Sequence, residues 1–217
     1  MARQPTSDEH HGAKTALNRP EEYVSLYFAN TVNWHASDHQ IEELKRYDDL
    51  VTWSQKEGLL DDHSAKLLLQ EGKTRPGEAE RVLKRGIVLR EAIYHIFSAV
   101  THGEKPRESD LQTLNSVLPE ALSRLRVSTE GGQFIFDWTG TANTLDQMLW
   151  PIAKSAAELL VSRELAKVRE CANEEEGCGW LFMDTTKNHS RRWCEMRSCG
   201  NRAKARRYYE RSKAISV

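Results

Sequence analysis

Cys171, Cys178, Cys194 and Cys199 are the only cysteines among 217 residues, and they fall within 29 consecutive positions. They form two pairs, Cys-x6-Cys and Cys-x4-Cys, with 15 residues between them. Thiolate is a soft ligand, and four of them complete a tetrahedral structural zinc site with sulfur at about 2.3 Å from the metal. Two pairs suit such a site because one turn can present each pair. Both spacings are looser than Cys-x2-Cys, so the clustering carries more of the argument than the spacing does. A chance cluster of buried cysteines is the bland alternative. A second alternative is a cysteine nucleophile with His189 as its base, which requires a free thiol. In a reducing compartment, clustered cysteines point to metal or catalysis rather than to disulfides.

The residues around the second pair are basic. From Lys187 to Val217 there are ten Lys and Arg against Glu195 and Glu210, a net +8, which leaves −9 for the first 186 residues. A basic end on an acidic body is the footprint of a polyanion-binding tail, although a solvated basic helix would have the same composition. Lys187, Arg191, Arg192, Arg202, Lys204, Arg206, Arg207 and Arg211 are the candidate phosphate contacts. The planar fork of Arg donates two parallel hydrogen bonds to phosphate. Four thiolates around one Zn²⁺ carry about −2, so part of this charge, Arg191, Arg192 and Arg197 first, can serve the metal instead. Tyr208 and Tyr209 either stack on bases or, the simpler reading, pack their helix against the finger.

Elsewhere, chemistry is sparse. Asn30, Asn33, Trp34 and His35 follow an apolar run, and Arg90, Glu91 and His95 share a long periodic segment. Asn30, Trp34, His35 and Arg90 are the candidates for a ligand pocket; helix capping, a core Trp and a buried ion pair are the structural alternatives. There is no Gly-rich phosphate loop, nucleophile elbow or His-Glu-x-x-His pattern, and no catalytic constellation.

The elements that must position these groups are mostly helical. Residues 1–19 are polar and aperiodic and predict disorder. Tyr23–Val32 is short and apolar, strand or helix. Ser37-Asp38-His39-Gln40 reads as a capping box opening a helix that carries Ile41, Leu44, Leu50 and Val51. Gly58 ends that helix, and Asp61 or Asp62 opens the next. The strongest helix follows Arg75-Pro76-Gly77, with Val82, Leu89, Ile93, Ile96, Phe97 and Val100 at helical spacing. A shorter one through Leu111, Leu114, Val117 and Leu118 should stop at Pro119. Gly131-Gly132 between two β-type runs predicts a hairpin. The pattern from Leu145 to Glu170 is helical again. Between the cysteine pairs, Trp180–Asp184 predicts a strand, Thr185–His189 a turn and Ser190–Cys194 a returning strand, before a helix from Arg202. No apolar run approaches the roughly 18 residues that span a bilayer, and the N-terminus has no secretory core. The chain is thus expected to be soluble and cytoplasmic, without membrane partners.

Cys199-Gly200-Asn201-Arg202, with Gly179-Trp180-Leu181-Phe182 and Ser190-Arg191-Arg192-Trp193-Cys194, resembles the CGNR zinc finger. Phe28-Ala29-Asn30-Thr31-Val32-Asn33-Trp34-His35 is similar to the opening motif of the ABATE domain, which usually precedes that finger. Trp150-Pro151-Ile152-Ala153 and Ser155–Leu160 resemble the family's link into it. The first cysteine pair departs from the family pattern, with a longer loop at Asn173–Gly177. The resemblance implies a bacterial transcription regulator with a ligand-sensing N-terminal domain and a DNA-binding finger that holds Zn²⁺. The expected class is α+β: a mostly helical domain over 20–165 with a small antiparallel element, then a treble-clef-like finger over 166–217. A protein-interaction adaptor docking an acidic partner, and an RNA-binding protein, are the competing readings.

Overall fold

The computed structural model describes residues 23–140 and 144–215; the disorder expected for 1–19 lies outside the described residues. The chain runs α1 (Val24–Ala29), β1 (Val32–Asn33), β2 (Ile41–Glu42), α2 (Tyr47–Lys56), α3 (Asp62–Thr74), α4 (Pro76–Thr101) and α5 (Glu108–Arg124). Then come β3 (Leu125–Glu130), β4 (Gln133–Trp138), α6 (Leu149–Val161), β5 (Val168–Glu170), β6 (Leu181–Met183) and α7 (Asn201–Ile215). The strands form three separate antiparallel pairs, β1–β2, β3–β4 and β5–β6.

Helix α4 is the axis of the body, packed against α1, α2, α3 and α5, while α6 closes the bundle over α1 and α5. Its periodic residues Leu89, Ile93, Ile96 and Phe97 are fully buried, with Phe28, Leu50, Leu149 and Ile152 around them. Pro76 sits in the first turn of α4, where its missing N–H has no intrahelical partner to lose. Asp61 caps α3 by accepting from the Ser64 amide at 2.7 Å, which also holds its carboxyl below the ordinary range. Gly131 and Gly132 both adopt positive φ, +56° and +79°, as a two-residue turn of matching twist requires.

Three expectations need correction. Ser37–Gln40 opens no helix: Ser37 Oγ donates to the Trp34 carbonyl at 2.9 Å and accepts from the His39 amide, so a turn satisfies it, and Ile41–Glu42 pairs with β1. Pro119 does not stop α5, which continues to Arg124. Asn115 and Pro119 both lie on the exposed side, where water takes the carbonyl that proline cannot bond. The helical pattern after Leu145 ends at Val161, and Val168–Glu170 is a strand.

The buried charge of the body is concentrated beside α4. Arg90, only 2% exposed, grips Glu42 with two 2.7 Å hydrogen bonds and reaches Glu91 at 2.8 Å. Glu91 also receives His35 Nε2 at 2.8 Å. Burial pushes the Glu91 carboxyl up, but the His35 hydrogen bond and charge, then those of Arg90, outweigh it and bring it down to about 2. Arg90→Ala would leave Glu42 without its counter-charge and Glu91 with His35 alone, and because both carboxylates keep partial access to water, denaturant unfolding should show a loss of about 1–3 kcal/mol. Because Glu91 is depressed in the folded state, its contribution is fully present above its ordinary value of 4.5 and lost as pH falls toward 2. Acid unfolding of Glu91→Gln should accordingly be shallower across that window than that of the parent chain.

Candidate metal centre

Strand β5 delivers Cys171, and a one-turn 3-10 helix at Glu174–Glu176 curls back to Cys178. The turn closes on Gly177, in the left-handed region at φ +65°. The Cys178 amide donates to the Asn173 carbonyl at 3.2 Å and the Cys171 amide to Trp180 at 2.9 Å, so backbone bonds shape this knuckle. Cys199 lies in a short π-type turn, Met196–Gly200, that leads directly into α7. Asp184, wholly buried, folds the connection between the pairs: it accepts from Thr186 N, Thr186 Oγ1 and Arg191 N at 3.0, 2.6 and 2.9 Å.

Ser190–Cys194 is not the returning strand that the sequence predicts. The partner of β6 is β5, with Val168 opposite Met183 and Glu170 opposite Leu181. Asp184 pulls the Arg191 amide into its own loop, and only the Ala172 amide reaches this segment, at Arg192 O, 2.8 Å. His189 adopts φ +46° and places Nδ1 3.1 Å from the Asp184 carbonyl.

The four sulfur atoms all lie within 4.8 Å of one another. Cys178 and Cys194 are 3.8 Å apart, and Cys199 is 3.6 Å from each. A tetrahedron with zinc–sulfur bonds of about 2.3 Å has edges of about 3.8 Å, so the donor set fits zinc. The Cys194 amide adds an N–H···S contact to Cys171 at 3.4 Å. The thiols of Cys178, Cys194 and Cys199 draw the Cys171 thiol far below its ordinary range by hydrogen bonding to it. Cys178 is pushed far up, first by Cys171, and Cys194 likewise. Four thiolates coexist at this range only around a cation.

The knuckle is seated on the body. His35 and Ala36 donate their amides to the carbonyls of Cys178 and Gly177, at 3.2 and 3.1 Å. A Cβ on Gly179 would stand 2.8 Å from the Ala36 nitrogen and 2.8 Å from Tyr94 Oη, so only glycine permits this approach. Asn30 pairs with the Leu181 backbone in both directions, Nδ2 to O at 2.8 Å and N to Oδ1 at 2.9 Å. Trp34 lies under the Arg202 guanidinium, 5.1 Å from its ring centroid, and the His35 ring stacks on Tyr94 at 3.6 Å. Asn30, Trp34, His35 and Arg90, expected at a ligand pocket, thus make their contacts within the protein. Sequence reasoning missed Tyr94 and Glu170, whose carboxylate takes Tyr94 Oη at 3.1 Å and Ser98 Oγ at 2.6 Å. No motif marks them, because they matter only through contacts between distant segments.

The basic residues divide into two groups. Arg191 stacks on Phe182 at 4.5 Å and donates to the carbonyls of Trp193 and Cys194. Arg202 pairs with Glu176 at 3.4 Å, and Arg206 with Glu175 and Glu176. Lys187, Arg192, Lys204, Arg207 and Arg211 are exposed and form no ion pair with an acidic side chain among the described residues. Arg192 and Arg207 flank the Trp193 ring at 5.4 and 6.0 Å. Tyr208 and Tyr209 do not pack the helix against the finger: they are 71% and 69% exposed, whereas Ala203 on the same helix is buried.

The fold and site define a helical domain carrying a four-cysteine zinc finger at its C-terminal end. The model of the ABATE family, described as "Putative stress-induced transcription regulator", matches residues 22–163, and that of the CGNR zinc finger matches residues 167–212. The chain therefore belongs to the ABATE family and ends in a CGNR zinc finger. A comparison with curated proteins finds no match.

Elemental analysis of protein purified under reducing conditions without chelators should find about one zinc per chain. Gly179→Ala should weaken zinc retention against a chelator although it alters no thiol, since its Cβ meets the Ala36 backbone, which cannot swing away, as well as Tyr94 Oη.

Proposed function

We propose that this protein regulates transcription by binding nucleic acid, DNA in the first instance, through the outer face of α7. The observation that carries the reading is the stripe Lys204, Arg207, Tyr208 and Arg211. These residues recur at i, i+3, i+4 and i+7, so they share one face. All four are exposed, while Arg202 and Arg206, on the opposite side of the helix, pair with the acidic turn. Cations interleaved with an exposed aromatic ring suit a polyanion whose bases are also within reach. Arg192 and Lys187 extend the charge from the neighbouring loop. Arg202 and Arg206 belong to a second face that the acidic turn Glu174–Glu176 already occupies, so only part of the tail's charge is available to phosphate.

For small-ligand sensing, the better candidate is a cleft of about 380 Å³ between α4 and α5, lined by Glu78, Arg81, Val82, Arg85, Glu120 and Asp146, among others. It offers both signs of charge at a wall of the body, whereas the polar side chains of Asn30, Thr31, Asn33 and His35 are already bonded within the protein. A protein-interaction adaptor, docking an acidic partner on the same stripe, is the competing function.

The test is a fluorescence anisotropy titration of the zinc-loaded full chain with duplex DNA, single-stranded DNA and RNA at several salt concentrations. Neutralising four or five phosphates gives a slope of log affinity on log salt near −4, at about −0.9 per phosphate for duplex. Arg207→Ala with Arg211→Ala should flatten that slope by about 2, whereas Arg206→Ala should change it little. Glu175→Gln should strengthen binding at low salt by a few-fold at most, since an exposed ion pair is worth about 0–1 kcal/mol. No binding to any of the three at low salt would reject the nucleic-acid reading and leave the adaptor.

A further inference from the structure

We propose that the body segment Asn30–Ser37 is part of the zinc-binding apparatus, with Asn30 as its positioning residue. In this arrangement, closure of the four thiols on the metal and docking of the first knuckle onto the body are one event. Four observations made on different atoms converge on it. Asn30, 4% exposed, commits its whole amide to the Leu181 backbone, three residues beyond Cys178. The amides of His35 and Ala36 end on the carbonyls of Cys178 and Gly177. Gly177 and Gly179, on either side of Cys178, approach Ser37 and Ala36 too closely for any side chain. Arg202, the last residue of the Cys-Gly-Asn-Arg motif, lies over Trp34. The body thus touches the finger beside both cysteine pairs.

The backbone of the segment fits this role. Trp34 holds φ +58°, a conformation that costs a non-glycine residue of order 1 kcal/mol and persists only where surrounding contacts enforce it. Those contacts are the Ser37 bonds to the Trp34 carbonyl and, from the knuckle, the carbonyls of Cys178 and Gly177. The finger's own apolar cluster is small: Phe182 and three of the cysteines are buried in it, with Trp180, Trp193 and Cys194 partly buried around them and Trp34 added by the body. So small a cluster does not hold a knuckle in register by apolar burial alone. Leu181 and Val168, which flank the site on β6 and β5, belong to the body's hydrophobic core instead. The consequence is reciprocal coupling. Whatever shifts the Asn30–Ser37 turn changes zinc affinity, and zinc loss must loosen that turn by the same free energy. A change in the body can therefore reach the finger without any ligand touching it.

Two measurements on the full chain decide this. The first is hydrogen exchange with and without a zinc chelator. Removing zinc should raise exchange at the amides of His35, Ala36 and Leu181 at least a hundredfold, while amides in the middle of α4, such as Ile93 and Ile96, keep most of their protection. The second is competition between the chain and a chelator. Asn30→Ala should weaken zinc binding about tenfold or more, because it leaves a buried N–H and C=O of Leu181 unpaired. It should also shrink the difference in unfolding midpoint between zinc-loaded and zinc-free chain. A residue that merely supports the body would lower both midpoints together and leave zinc affinity alone. If Asn30→Ala does not fold, Arg202→Gln is the surface substitution on the same contact, with an expected weakening of about three- to tenfold. His35 and Ala36 amides that stay protected after chelation would overturn the proposal. So would zinc affinity within twofold of the parent in both variants. A parent chain that takes up no zinc would overturn it together with the metal assignment, an outcome visible before any variant is made.

Discussion

Four sulfur atoms held within 4.8 Å of one another are the constraint on which the C-terminal third of the molecule depends. Four ionised sulfurs at this range repel one another. A divalent cation removes the conflict by making all four ionised sulfurs attractive to one centre. The net charge that remains is negative, and the surrounding cations answer it. Arg191 does so through the carbonyls of Trp193 and Cys194, and Arg202 from across the knuckle. Charge that a composition count assigns to phosphate is in part committed to keeping this module folded.

The second dependence runs through α4. Arg90, Tyr94 and Ser98 recur at i, i+4 and i+8 and so lie along one side of that helix. Arg90 fixes Glu42 and Glu91, and Glu91 fixes His35. Tyr94 stacks on His35 and, with Ser98, holds Glu170, the residue before Cys171. A single rigid helix thereby sets the distance between the N-terminal turn and the strand that delivers the first ligand. A buried ion cluster of this kind is costly to assemble and yields little net stability; what it supplies here is position.

The charge pattern of the finger follows from the same geometry. The loop Asn173–Gly177 brings Glu175 and Glu176 to the edge of α7. There they meet Arg202 and Arg206 on one side of the helix and leave Lys204, Arg207 and Arg211 on the other. The acidic turn also builds the knuckle, since Asn173 accepts from Cys178 and donates to Glu176 at 3.0 Å. One segment thus shapes the metal site and partitions the basic helix into an occupied and an open face.

Much of this was legible from local sequence. The helical spacing across α4, the Asp61 cap, the Gly131-Gly132 turn and the clustering of the cysteines are short-range patterns, and each produced the element or grouping it predicts. Where reasoning from sequence went astray, a distant partner had outbid a local preference. Ser37 reads as a cap until the turn it closes is seated on Gly177. Ser190–Cys194 reads as a strand until Asp184 claims the Arg191 amide and β5 takes the pairing edge of β6. Arg202 and Arg206 are indistinguishable from Arg207 and Arg211 in composition, and only the position of the Glu174–Glu176 turn separates them. What the sequence by itself determined is therefore the chemistry, four soft ligands and a basic helix, because ligand type and periodicity are properties of the residues. Which charges stay open, and that the Asn30–His35 motif serves the finger, was decided by tertiary structure. Those contacts join residues as many as 151 positions apart, and no local pattern encodes them.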